Sequence, residues 1–159
     1  MRLLRTCSLL LVLGACSRTE APEKSSAPAA PPALVKPVEA AKPAIEDTTF
    51  KLALSGQPEY SAGQNATVQL TLEARGGYHV NQEYPIRVDL KAAPGVKLAK
   101  ASLERADAAQ FGEQSARFEL PFSAEAGSHE LTALVDFAVC TKETCVPDQR
   151  TVALALTVR

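Results

Sequence analysis

The chain of 159 residues is long enough for one domain of ordinary size, and its formal charge of −1 is uneven: +3 over residues 1–45 and −4 over residues 46–159. A mildly acidic body without a basic stripe argues against a nucleic-acid partner. There is no Trp and the single Met is Met1, so thioether ligation of copper is closed to a processed chain.

At the N-terminus, Arg2 and Arg5 precede the apolar run Leu9-Leu10-Leu11-Val12-Leu13, which is too short to cross ~30 Å of hydrocarbon as a mature helix. The run ends Leu13-Gly14-Ala15-Cys16, which resembles the lipobox of bacterial lipoproteins. That resemblance implies a signal peptide over residues 1–15, lipid attachment at Cys16, and a chain held on the periplasmic side of a bacterial membrane. Ser17, where an Asp is absent, points within the same resemblance to the outer membrane. Cys7 would leave with the signal. Cys140 and Cys145 then remain as the thiols of the mature protein, in a compartment where disulfides form and persist.

Residues 16–45 are rich in Ala, Pro, Ser and Lys and lack hydrophobic periodicity, which predicts a disordered, lipid-anchored tether. Prolines bias it toward polyproline II, so residues 17–45 reach about 90 Å at most. We read it as a spacer with no partner motif of its own.

From Glu46 the pattern becomes that of an all-β domain over residues 46–159. Strands are predicted at residues 48–54, 66–74, 78–81, 86–90, 96–103, 117–122, 131–140 and 151–158, with turns at Gly56-Gln57-Pro58, Ala62-Gly63-Gln64-Asn65, Gly76-Gly77, Pro94-Gly95 and Ala126-Gly127. Residues 106–110 are Ala-rich and suit one helical turn. His129 sits beside a turn, where solvation is expected. About eight short strands separated by turns indicate an immunoglobulin-like β-sandwich.

The last two strands carry the cysteines, with four residues between them. Side chains alternate faces along a strand, so Leu131, Ala133, Val135, Phe137 and Val139 share one face and Cys140 falls on the other. Pairing Cys140 with Cys145 across the turn sets Ala133 against Val152 and Leu131 against Leu154. One register therefore matches both the sulfurs and the apolar faces, and puts the cysteines away from the deep core. Directly opposite residues stand about 4.5–5.5 Å apart at Cα, which permits a disulfide. Closing so short a loop contributes only about 2 kcal/mol, so a structural and a redox role are both open. Zinc is a third reading, with Cys140, Cys145, His79 and His129 as available ligands at spacings that match no standard motif.

Three segments together resemble a family. Val139-Cys140-Thr141-Lys142-Glu143-Thr144-Cys145-Val146-Pro147 resembles the closing hairpin of the N-terminal periplasmic domain of the DsbD thiol:disulfide reductases. Gly77-Tyr78-His79-Val80-Asn81 is similar to the family's Gly-aromatic-His-(Ile/Val)-Asn strand, and Gln110-Phe111-Gly112-Glu113 to its cap loop. The likeness covers residues 46–159. It implies that Cys140 and Cys145 are an exchanging dithiol–disulfide pair, with Cys145 the attacking thiol. Phe111 would be the cap, and His79 and Asn81 would line the site. No cofactor is implied. The implied partners are a membrane-embedded thiol reductase as electron donor and periplasmic thioredoxin-like proteins as acceptors. Two departures stand out. Four residues lie between the cysteines, where the best-known member of the family has five, and the sequence has no counterpart of that protein's membrane-spanning and thioredoxin-like parts. The electron donor is therefore expected to be a separate protein. The rival expectation is a non-catalytic lipoprotein binding module whose disulfide only pins the hairpin.

Overall fold

The computed structural model describes residues 42–159, and the expected signal peptide, Cys16 and most of the tether lie outside them. Period-two alternation builds the first sheet. In β2 (Phe50–Ser55) and β3 (Ala66–Ala74), Phe50, Leu52, Leu54, Val68, Leu70 and Leu72 all point inward and are buried. β9 (Ser115–Ala124) does the same with Ala116, Phe118, Leu120 and Phe122. The sheet runs β1 (Ala44–Glu46), β2, β3, β9, with β6 (Val96–Leu98) and β8 (Ala108–Phe111) end to end along the outer side of β9.

The second sheet is organised on β10 (Gly127–Cys140). β11 (Cys145–Val158) pairs along its whole length, and on the opposite side β5 (Arg87–Ala92) and the two-residue β4 (His79–Val80) pair with it in turn. β7 (Ser102–Glu104) closes the far edge against β5. All pairings between these strands are antiparallel, and the two sheets face each other as a β-sandwich. Leu131, Ala133, Val135, Phe137, Val152 and Leu156 fill the space between them. The Phe50 and Phe137 rings meet edge to face at 4.8 Å, which joins the sheets close to the cysteine end.

Among the described residues, eleven strands replace the eight expected. The first strand of the described residues starts at Ala44, ahead of the expected domain start at Glu46, and the segment 96–103 is two strands rather than one. The predicted helical turn at 106–110 is a single 3-10 turn at Arg105–Asp107 followed by strand. Tertiary pairing of Ala108–Phe111 with β9, through a bulge, overrides the helical preference of its alanines. His129 is also more constrained than expected, because its two ring nitrogens lie 3.1 Å from the Pro94 carbonyl and 2.9 Å from that of Glu125.

A tight turn delivers β4 to the cysteines. Gly76 and Gly77 have φ of 61° and 82°, and a Cβ on Gly76 would stand 2.5 Å from the Thr48 carbonyl oxygen. Only glycine fits there without moving backbone.

Candidate functional site

The β10–β11 register is unbroken from Gly127↔Val158 to Cys140↔Cys145, and it includes Ala133↔Val152 and Leu131↔Leu154 as the period-two pattern requires. Cys140 and Cys145 are disulfide-bonded, with Cα atoms 4.0 Å apart. The four residues between them form a tight turn. The Thr141 amide donates to the Thr144 carbonyl at 2.8 Å, and the Thr141 hydroxyl accepts from the amides of Glu143 and Thr144.

The two sulfurs differ in environment. Cys140 is 2 % exposed, flanked by Cys145 on one strand and by His79 of β4 on the other. It lies outside the apolar cluster between the sheets, on the face its parity assigned. Cys145 is exposed. One end of the disulfide is thus held in protein while the other meets solvent.

An open cavity of about 340 Å³ adjoins the bond, lined by residues 79–83, Glu113, Thr141 and both cysteines. Its first wall is β4 and the turn that follows. The Asn81 side-chain oxygen accepts the amides of Glu83 at 2.8 Å and Tyr84 at 3.2 Å. Two donors on that oxygen leave the amide nitrogen facing the other way, where it donates to Cys145 Sγ at 3.6 Å. The Asn81 backbone amide is fixed to the Ala138 carbonyl at 2.9 Å. The second wall is the β8–β9 connection, joined to the first where the Val80 amide donates to the Glu113 carbonyl at 2.7 Å.

His79, Asn81, Cys140 and Cys145 therefore stand together. Phe111 is half-buried against the core cluster with the Arg105 guanidinium over its ring, and Glu113 is the residue of its segment that lines the cavity. Gln82, Glu83, Glu113 and Thr141 were not singled out from sequence. Glu113 sits in the Phe111 segment, and Asn81 two residues before Glu83 carries the signature of a side-chain-capped turn, which would have marked that wall. His129, the remaining zinc candidate, lies at the Gly127 end of β10, away from the sulfurs. Among the described residues no three His, Cys, Asp or Glu side chains are grouped to share a metal ion, and no helix is long and apolar enough to cross a membrane.

The profile of the family described as thiol:disulfide interchange protein DsbD, N-terminal, matches residues 53–157. No curated protein matches. Among solved structures, the chain aligns with an Escherichia coli alpha-2-macroglobulin fragment running from domain MG7 to the C-terminus. The identity is 15%, the TM-score 0.43, and the alignment covers 74% of this chain and 17% of that one. It also aligns with AggA, the major subunit of the Escherichia coli aggregative adherence fimbriae type I, at 12% identity and a TM-score of 0.33, covering 69% and 95% of the two chains.

Proposed function

The chain belongs to the family of the N-terminal domain of the thiol:disulfide interchange protein DsbD, and from that membership we propose that it relays electrons outside the cytoplasm through Cys140 and Cys145. The observation that carries the reading is the asymmetry of the bond, an exposed Cys145 joined to a buried Cys140. An exchange protein needs one sulfur that a partner can reach and one that resolves the mixed disulfide internally.

A membrane-embedded dithiol reduces the Cys140–Cys145 bond by two successive exchanges and becomes a disulfide itself, leaving two thiols here. The Cys145 thiolate then attacks a disulfide in a thioredoxin-like acceptor. A Cys145–acceptor bond forms and one acceptor sulfur leaves as thiolate. The Cys140 thiolate attacks Cys145 Sγ, the intramolecular bond re-forms, and the second acceptor thiolate leaves. Two electrons have moved, and the acceptor thiolates take up protons from solvent. Export and lipid attachment at Cys16, on the periplasmic face of the outer membrane, would place the pair where such partners work.

The rival reading, a disulfide that only pins the hairpin, is weakened by the hairpin itself. The strands pair in uninterrupted register right up to the cysteines, and closing the short loop adds only about 2 kcal/mol. Single variants test the proposal. Cys140→Ala keeps the exposed thiol without its resolving partner and should accumulate a mixed disulfide with a thioredoxin-like protein on non-reducing gels. Cys145→Ala should accumulate far less. If neither variant traps any, the relay reading fails.

A further inference from the structure

Arg105 is not a lining residue of the sulfur cavity, yet it contacts its first wall and the strand that leads into the second. It opens the 3-10 turn Arg105–Asp107. Its Nη1 donates to the carbonyl of Gln82, the residue next to Asn81 in the first wall. Its guanidinium carbon stands 5.0 Å from the centre of the Phe111 ring, two residues before Glu113 in the second wall. Among the described residues no carboxylate forms a salt bridge with Arg105, so these two contacts are what its charge and planar fork engage. A flat guanidinium can stack on a ring and donate in its own plane at once, which an ammonium cannot.

The consequence falls on Asn81. Its side chain is oriented by the amides of Glu83 and Tyr84, so the conformation of the turn 81–84 decides whether its amide nitrogen faces Cys145 Sγ. Arg105 fixes that turn at Gln82, inside it. We infer that Arg105 is a positioning residue for the exchange reaction: it braces the Gln82 carbonyl against the Phe111 ring and so keeps Asn81 aimed at the Cys145 sulfur. When the bond is reduced, an N–H donor held at that sulfur favours the thiolate, the form that attacks. The inference deepens the relay reading and rests on it for its biological meaning, but its test needs no protein partner.

The test is the pH profile of iodoacetamide alkylation at Cys145 in the fully reduced chain, followed by mass spectrometry. Arg105→Ala should slow alkylation at neutral pH by about two- to fivefold and move the profile to higher pH, the loss expected for an exposed stacking and donor contact. Arg105→Lys, which keeps a donor for Gln82 but not the stacked plane, should fall between. In an Asn81→Ala background, Arg105→Ala should have no further effect, because the residue acts through Asn81. An unchanged profile in folded Arg105→Ala overturns the inference, and so does an equal slowing in the Asn81→Ala background. If Arg105→Ala does not fold, Phe111→Leu decides: slowing in the same direction supports the brace, and no slowing overturns it. Failure of the wild-type relay would show instead as absent mixed disulfides with thioredoxin-like proteins, whatever Arg105 does to alkylation.

Discussion

Asn81 is the side chain that donates to the exposed sulfur, and in the proposed relay it is where the reactivity of Cys145 is set. Its carboxamide is committed at both ends, the oxygen to two backbone amides and the nitrogen to Cys145 Sγ. A donor at a thiolate stabilises the charged form and lowers the pH at which it appears. Asn81→Ala should therefore slow alkylation of reduced Cys145 at neutral pH by about three- to tenfold and shift the profile upward. A profile superimposable on wild type would show that the contact has no influence on the thiol. Part of this site is legible from residue types alone. The cysteines are placed by parity, and the resemblance names His79 and Asn81. What parity does not give is the difference between the two sulfurs. Burial of Cys140 depends on β4 lying beside β10, and those segments are about sixty residues apart in sequence.

At the scale of elements, the hairpin was the easiest part to read. Fourteen pairs hold one register because slipping by a single residue would turn Leu131, Val135 and Phe137 out to solvent. The segment from Arg105 to Phe111 was the hardest. Its alanines favour helix, and nothing local shows that β9 has an open side waiting for Ala108–Phe111. The short 3-10 turn in front of it depends on Asp107. That carboxylate accepts Lys100 Nζ at 2.6 Å and the Glu104 amide at 2.9 Å. The Lys100 ammonium first, and the Glu104 amide second, hold its carboxyl below the ordinary aspartate range. The folded value is depressed, so this contribution is complete above the unfolded value of ~3.9 and disappears as pH falls through the folded one. The turn that carries Arg105 should therefore stay ordered to below about pH 4 and loosen under more acid conditions. The Glu104 amide resonance should report the same midpoint, and Asp107→Asn should abolish the transition. A Glu104 midpoint at the ordinary aspartate value would contradict the assignment.

In the described body, the sandwich is the mount of the cysteine hairpin. Both sheets are locked by an apolar interior, and the cysteine hairpin projects from one end with Phe137 and Phe50 packed directly behind it. The described chain enters far from that end. The Lys42 carbonyl accepts the Ala153 amide, about 26 Å along β11 from Cys145 at ~3.3 Å per residue. An all-β sandwich was legible from turn spacing and alternation. The strand count was not, because β1, β7 and β8 are short edge or near-edge segments whose pairing is set by neighbours rather than by their own pattern. The resemblance drawn from three short motifs holds at the level of the family, whose profile spans most of the folded body. On the relay reading, this mount carries a bond made to be opened and re-formed. The reduction potential of the Cys140–Cys145 bond, obtained by equilibrating the chain with a glutathione or dithiothreitol couple, decides whether it is such a bond. A relay disulfide should lie above about −300 mV, within the span of roughly −120 to −270 mV occupied by exchange proteins, whereas a value below about −300 mV, typical of inert structural disulfides, would rule the relay out.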